Sequence, residues 1–181
     1  MTADTPKSLV LVRHAKSAWP DAPDLPDHER PLAERGRRDA PLAGRWLRDH
    51  GHVPDRVICS TARRTRETWE LASGHLNASP PVTYDRRLYG ADLRQLLDVV
   101  AESGGDIGTL LLVGHDPGLW ELALHLAGDR AGDALERVRV KFPTGAIATL
   151  AITYPWAELG AGSAELTDFV VPPRHGRPHH Y

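Results

Sequence analysis

Short apolar runs alternate along this chain with longer segments in which apolar residues recur at helical spacing. The apolar runs are typical of strands buried on both faces, as in a parallel sheet. They predict strands at 9–12, 56–59, 82–84, 109–113 and 146–152, with a further candidate at 169–171. The segments between them predict helices over 32–50, 61–76, 92–102 and 117–126. This alternation indicates an α/β fold, with helices on both faces of a mostly parallel central sheet in a three-layer α/β/α arrangement.

Proline residues separate the predicted elements. Four prolines and several aspartates between 17 and 31 indicate a loop. Pro41 is expected to kink the first helix or to lie near its first turns, and Ser60 or Thr61 is expected to cap the second. Pro117 is expected to begin the last helix. No linker interrupts the pattern, so we predict one domain over 1–181, with a core at about 8–171 and a flexible tail at 172–181.

Charge and composition narrow the classes of partner. The 181 residues carry a formal net charge of −2 with a pI near 6.5, which predicts neither nucleic-acid nor membrane binding. Cys59 is the only cysteine, so no intrachain disulfide can form. The first eight residues are polar and lack the apolar segment of a signal peptide. We therefore expect a cytoplasmic protein.

Reactive and anion-binding side chains follow three of the predicted strands. Arg13 and His14 follow the first, Ser60 and the Arg63-Arg64 pair follow the second, and His115 follows the strand at 109–113. The carboxyl ends of parallel strands meet at one edge of a sheet, where ligands bind. Arginine grips phosphate oxygens in a bidentate manner, and a neutral imidazole can act as a nucleophile. The pattern therefore predicts a phosphoryl-transfer site, without a metal because no carboxylate or cysteine cluster accompanies the histidines.

The same positions carry a family resemblance that covers about 9–150. The segment beginning Arg13-His14, the Ser60-x-x-x-Arg64-x-x-x-Thr68 spacing and Gly114-His115 resemble the three motifs of the histidine phosphatase superfamily, which includes the cofactor-dependent phosphoglycerate mutases. Several further segments are similar to the SixA-like phosphohistidine phosphatases: Arg13-His14-Ala-Lys-Ser17-x-Trp19, Arg30-Pro31-Leu32-x-x-x-Gly36, Leu88-Tyr89, Val113-Gly114-His115-Asp116-Pro117-Gly118 and Thr144-Gly145-Ala146. The order and spacing of these motifs, more than any one of them, carry the resemblance.

The resemblance implies a phosphoglycerate mutase-like fold and a role for each matching residue. His14 would attack phosphorus and become phosphohistidine. Arg13 and Arg64 would hold the phosphoryl oxygens, and His115 would donate to the same oxygens. Arg64 rather than Arg63 falls at the motif position, although Arg63 remains a candidate. Ser17 and Trp19 are further candidates for phosphate contact or for the wall of the pocket, and no cofactor is implied.

The family's usual proton donor is missing from its expected place. Many members with larger substrates carry a glutamate after the third strand, but here that region reads Asp85-Arg-Arg-Leu-Tyr-Gly90. An alkoxide leaving group needs a general acid far more than imidazole does. The absence therefore favours a phosphohistidine substrate. It leaves open that a carboxylate from elsewhere folds into the site, the candidates being Asp21, Asp27, Asp92 and Asp116.

These observations favour a phosphatase for phosphohistidine in proteins, with a histidine-containing phosphotransfer protein as one possible partner. An alternative is a phosphatase for a small phosphorylated metabolite or for phosphoserine and phosphotyrosine. A third is an inactive phospho-binding module on the same fold, against which the intact His14 and arginines argue. The physiological substrate and the oligomeric state are not encoded in any motif that we recognise, nor is a role for the tail histidines His175, His179 and His180.

Overall fold

A six-stranded sheet forms the centre of the computed structural model, which describes residues 6–129 and 132–172. The strand order is β3-β2-β4-β1-β5-β6. The first four strands of that order are mutually parallel. Strand β5 pairs antiparallel with β1, and β6 pairs antiparallel with β5 at the edge of the sheet. The strands are β1 (Lys7–Arg13), β2 (Arg56–Ser60), β3 (Val82–Asp85), β4 (Thr109–Gly114), β5 (Ile147–Ile152) and β6 (Ala164–Val170). The predicted mostly parallel sheet is thereby confirmed.

Helices cover both faces of the sheet. They are α1 (Glu34–Asp49), α2 (Arg63–Ser73), α3 (Leu93–Gly104), α4 (Gly118–Ala127) and α5 (Asp133–Val140). Along β1, Val10 and Val12 pack with α1 and α2, while Leu9 and Leu11 pack with α3, α4 and α5. Successive strand residues point to opposite faces, so the continuous apolar runs supply two cores at once. The result is the three-layer α/β/α architecture that the sequence predicts.

The sequence-based elements differ from the structure in four places. Helix α5 was not predicted, because an eight-residue helix that buries only Leu135 and Val138 leaves little periodic signal. Strand β6 begins at Ala164, whereas only 169–171 was predicted. Pro41 is the eighth residue of α1 and lies well inside the helix. The cap prediction was wrong, since Ala62 occupies the N-cap of α2 without a side-chain hydrogen bond.

Two other expectations concern the surroundings of the core. Of the predicted tail, only Pro172 lies within the described residues, so the tail histidines fall outside them. Within the described ranges, no helix is both long enough and apolar enough to cross a membrane.

Cys59 is fully buried in β2, and burial raises the pKa of its thiol to about 12, so it behaves as a small apolar residue.

Candidate active site

The register of the parallel strands places the predicted chemistry at one edge of the sheet. Strand β4 lies between β1 and β2, with Arg13 opposite Gly114 and Cys59 opposite Val113. The residues that follow, His14 and His115, therefore leave neighbouring strands side by side. Their ring centroids are 5.4 Å apart. The sheet thus brings together both histidines that the sequence singles out.

His14 is held as a neutral imidazole with one nitrogen available. Its Nδ1 lies 2.8 Å from the carbonyl oxygen of Ala15, which can only accept a hydrogen bond. Nδ1 must therefore carry the proton, which leaves a lone pair on Nε2. The side chain is 5% exposed, and burial, with the nearby guanidinium groups, lowers its pKa to about 4. His14 thus has an unprotonated Nε2 at neutral pH, which is the state that a nucleophilic imidazole requires.

His115 is oriented by a hydroxyl group at the end of β2. Its Nε2 lies 2.7 Å from Oγ of Ser60, and that oxygen also accepts a hydrogen bond from the backbone N–H of Ala62. The Ser60 hydroxyl can donate its proton to Nε2, and in that arrangement Nδ1 of His115 carries the ring proton. Burial lowers the pKa of His115 to about 3, which keeps the ring neutral. In that tautomer, His115 presents an N–H donor at Nδ1.

Arg13 and Arg64 lie beside His14, and each has a guanidinium N–H group without an acceptor among the residues that the structure describes. Arg13 donates from Nη1 to the carbonyl oxygen of Phe142 at 2.8 Å, and Arg64 is 6% exposed. In the described part of the chain, Nε of both arginines and Nδ1 of His115 are buried without a hydrogen-bond partner. Leaving buried polar groups unpaired is costly. Two guanidinium nitrogens and a ring nitrogen of His115 beside His14 fit an anionic ligand with several acceptor oxygens, such as a phosphoryl group.

Arg63 lies outside this group. Its side chain is 46% exposed and its Nε lies 3.7 Å from Oε2 of Glu67 on the surface of α2. Adjacent helical residues point in directions about 100° apart, so α2 can turn only one of the pair inward. The structure turns Arg64 inward, as the motif spacing indicates.

Thr68 connects the two halves of the site. Its hydroxyl accepts a hydrogen bond from the backbone N–H of Ala15 at 3.0 Å and donates to the carbonyl oxygen of Arg64 at 2.7 Å. The residue is 1% exposed. It therefore fixes the backbone after His14 against the helix that carries Arg64, a role that its place in the second motif could have suggested.

Asp27, from the proline-rich loop, also reaches the site. Its carboxylate accepts hydrogen bonds from Arg30 Nε at 2.9 Å, Arg64 Nη2 at 3.1 Å and the Tyr89 hydroxyl at 2.6 Å. The hydroxyl of Tyr89 and the two arginines hold the pKa of this carboxyl well below its usual range. Asp27 was one of four aspartates that the sequence left open, while Arg30 and Tyr89 were noted only as parts of motifs.

Ser17 and Trp19 lie at the rim, joined to the site through Arg30. Arg30 Nη1 donates to Oγ of Ser17 at 3.1 Å, and its guanidinium carbon lies 3.6 Å from the centroid of the Trp19 ring. Trp19 is 78% exposed, so its outer face is open to solvent. Both residues contact Arg30 where the loop meets the site.

Asp116 is the second carboxyl group near the histidines. Its Oδ1 is buried and has no hydrogen-bond partner among the described residues. Burial raises its pKa, and the charge of Arg13 opposes the shift. With His115 and Gly118 it lines a cavity of about 230 Å³. Asp116 is therefore better suited than the ionised Asp27 to carry a proton.

Removal of the Ser60 hydroxyl should weaken the site, and it also removes the acceptor of the Ala62 N–H at the start of α2. In Ser60→Ala, His115 loses the partner that selects its tautomer, so we expect kcat to fall about tenfold, the effect of one hydrogen bond, with little change in KM. Steady-state kinetics with an aryl phosphate would measure this. Ser73→Ala, which removes an exposed hydroxyl bound only to the Glu70 carbonyl oxygen, is the matched control. Equal losses in the two variants would contradict the role of Ser60.

The two neutral histidines should make the protein sensitive to acid. An unfolded histidine titrates near pH 6.5, whereas His14 and His115 titrate at about 4 and about 3 in the fold. Below about pH 6.5 the unfolded chain therefore binds more protons, so the free energy of unfolding should fall as the pH drops to about 4. Urea denaturation across this range would measure it. A His14→Asn/His115→Asn variant should lose part of the dependence, and an unchanged dependence would contradict the burial argument.

Known proteins are similar to this chain in sequence and in fold. The model of the histidine phosphatase superfamily (branch 1) matches residues 9–149. An uncharacterised protein of Mycobacterium tuberculosis is 45% identical over 163 residues, which cover 89% of this chain and 99% of that protein. A structure from Nakamurella multipartitia, provisionally named phosphohistidine phosphatase SixA, has a TM-score of 0.79 and 35% identity over 93% of this chain and 97% of that chain.

A more distant structure agrees with these in fold. It is the protein histidine phosphatase SixA complexed with tungstate, with a TM-score of 0.74 and 20% identity. The alignment covers 91% of this chain and 97% of that chain. At this identity the likeness concerns the fold alone.

Proposed function

This chain belongs to the histidine phosphatase superfamily, in its SixA-like branch, and is a phosphatase; we propose that it dephosphorylates phosphohistidine in proteins through a phosphoryl intermediate on His14. The observation that carries the substrate proposal is the state of Asp27. This carboxylate reaches the site but is held ionised by Tyr89, Arg30 and Arg64, so it cannot supply a proton to a leaving group. A phosphohistidine ring that is protonated on its second nitrogen departs as neutral imidazole and does not need such help, whereas an alkoxide does.

The proposed mechanism has two displacements at phosphorus. Nε2 of His14 forms a bond to phosphorus while the N–P bond of the substrate breaks and its electron pair returns to the substrate ring. Arg13, Arg64 and the Nδ1–H of His115 stabilise the charge on the phosphoryl oxygens during transfer. Water then attacks the phosphorus, and the bond to His14 breaks with its electron pair returning to Nε2. Phosphate leaves with both protons of the water, the second of which passes to a phosphoryl oxygen. The transfer needs no residue of this chain to change its resting protonation state.

The surroundings of the site support a protein as the substrate. Trp19 is largely exposed at the rim, and the carboxylate of Asp27 is 48% exposed. A phosphorylated side chain on a protein surface, such as that of a histidine-containing phosphotransfer protein, could reach a site of this kind. The identity of that partner and the cytoplasmic location stay predictions.

Asp116 favours a second candidate function, hydrolysis of a small alkyl phosphate. Its carboxyl group has a raised pKa and borders a cavity of about 230 Å³ beside His115, which is room for a small leaving group. If Asp116 is the general acid for an alkoxide, Asp116→Asn should reduce alkyl phosphate hydrolysis far more than phosphohistidine hydrolysis.

A substrate panel without added metal tests the proposal. The purified protein would be given a phosphohistidine-bearing protein, a phosphohistidine peptide and a series of alkyl and aryl phosphates, beside Asp116→Asn. We expect kcat/KM to be highest for phosphohistidine and unaffected by the substitution. A higher kcat/KM for one alkyl phosphate, lost in Asp116→Asn, would replace the phosphohistidine proposal with the second candidate.

A further inference from the structure

The Asp27 carboxylate has acceptor capacity that the fold does not use. An ionised carboxylate offers about four lone-pair positions, and three are taken by Arg30, Arg64 and Tyr89. The side chain is 48% exposed, so the remaining position is open to a ligand. In contrast, the side chains of Arg30 and Arg64 that it binds are only 10% and 8% exposed. Asp27 is therefore the solvent-facing end of a buried network.

The network places this carboxylate next to the phosphoryl site. Arg64 binds Asp27 through Nη2 and binds the Asp27 carbonyl oxygen through Nη1, while its Nε remains unpaired. Tyr89, which donates to Asp27, has its ring 5.6 Å from that of His115. A phosphoryl group held by Arg64 and His115 would thus have Asp27 within reach of the group it is leaving.

An ionised carboxylate at this position discriminates between leaving groups because it can only accept a hydrogen bond. It offers no donor to an alkoxide or phenolate, which gains negative charge as the bond to phosphorus breaks. It attracts a phosphorylated imidazole that is protonated on its second nitrogen, because that ring is cationic before transfer. Protonation also makes the ring a better leaving group, since it departs as neutral imidazole.

We propose that Asp27 accepts a hydrogen bond from the unphosphorylated ring nitrogen of a phosphohistidine substrate and so selects this phosphoramidate over phosphate esters. The inference rests on the proposed function and adds the residue responsible for the selectivity. The N–P bond breaks with its electron pair moving to the substrate nitrogen. The proton on the second nitrogen stays on the departing ring, and Nε2 of His14 forms the new N–P bond. No further acid is required.

The contrasting explanation is purely structural, since Asp27 also ties the proline-rich loop to α2. Substitution of Asp27 by asparagine separates the structural explanation from the proposed substrate contact. Asparagine keeps the size of the side chain and can still accept a hydrogen bond from Arg30, but it removes the negative charge. Two substrates are compared on the same variant, a phosphohistidine peptide and p-nitrophenyl phosphate, whose leaving group needs no acid. A damaged fold would lower both activities together, whereas a lost leaving-group contact would lower only one.

We expect Asp27→Asn to reduce kcat/KM for the phosphohistidine peptide about tenfold to hundredfold, the range of one hydrogen bond to a charged group, and to leave or raise that for p-nitrophenyl phosphate. The pH at which phosphohistidine hydrolysis is fastest should shift downward, because the substrate ring loses the carboxylate that favours its protonation. Asp24→Asn, in an exposed position on the same loop, should change neither activity. Tyr89→Phe, which frees a lone pair of Asp27 and keeps its charge, should retain the selectivity.

Three results would overturn the inference. Equal losses on the two substrates in Asp27→Asn would assign Asp27 a structural role only. Unchanged activity on both would show that the substrate ring does not contact it. A wild-type protein that hydrolyses esters but not the phosphohistidine peptide would remove the proposed function as well, so the wild-type measurement distinguishes the two failures.

Discussion

Replacing His14 by alanine is expected to lower kcat/KM by at least about 10⁴-fold on every substrate that the protein hydrolyses. The nitrogen that attacks phosphorus is lost, and the remaining arginines and His115 can only bind the phosphoryl group, as in other enzymes that lose a nucleophile. Continuous assay of phosphate release would measure the loss. His125→Ala, a half-buried histidine on α4 away from the sheet edge, is the matched control.

The fold should survive this substitution. Among the residues that the structure describes, the side chain of His14 makes one hydrogen bond, to the carbonyl oxygen of Ala15, so its loss leaves no distant partner there unpaired. Circular dichroism and thermal melting of the variant should match the wild type at neutral pH. A well-folded His14→Ala protein that retains more than one tenth of the activity would exclude His14 as the nucleophile.

The second large effect is expected at Arg64. We expect Arg64→Lys to reduce kcat/KM by about 10² to 10³-fold while the positive charge is kept. The guanidinium group donates from two nitrogens to Asp27, and its Nε, which has no partner among the described residues, can donate to the phosphoryl group. A single ammonium group cannot supply this geometry. Steady-state kinetics should show the loss mainly in kcat, because the Arg64 guanidinium stabilises the negative charge that develops on the phosphoryl oxygens during transfer.

Arg63 provides a control for Arg64 at the neighbouring position. It is the same residue type on the same helix, but it points to solvent and pairs with Glu67. Arg63→Lys should change kcat/KM less than twofold. Comparable losses in the two variants would mean that charge at the start of α2, and not the buried fork, supports the reaction.

Much of the fold follows from the sequence because the parallel strands are buried on both faces. After Thr109, the run at 110–113 is entirely apolar. The spacing of such runs with amphipathic helices leaves few arrangements other than an α/β sheet. This reasoning does not predict the full length of the antiparallel strand β6 or the short helix α5. In β6, exposed and half-buried residues such as Glu165 and Asp168 interrupt the apolar pattern, and α5 has too few turns for a period to register.

The candidate site was predictable only where it lies on regular elements. His14, Ser60 and His115 follow strands whose register the sheet fixes, so their meeting at one edge could be inferred. Asp27 lies in a loop of prolines and aspartates, where the sequence has no periodicity that predicts which side chain points into the site. Its place depends on contacts with Arg30, Arg64 and Tyr89, which are distant in sequence from one another and come together only in the folded chain.

The most direct test of the account is to look for a phosphoryl group on His14 during turnover. The protein would be mixed with a phosphohistidine peptide, quenched with alkali within milliseconds to seconds, digested and examined by mass spectrometry. We predict a transient, acid-labile phosphoryl group on the peptide that contains His14, formed before phosphate is released and absent from His14→Asn. Release of phosphate at the full rate with no phosphorylated His14 at any time point would contradict the account.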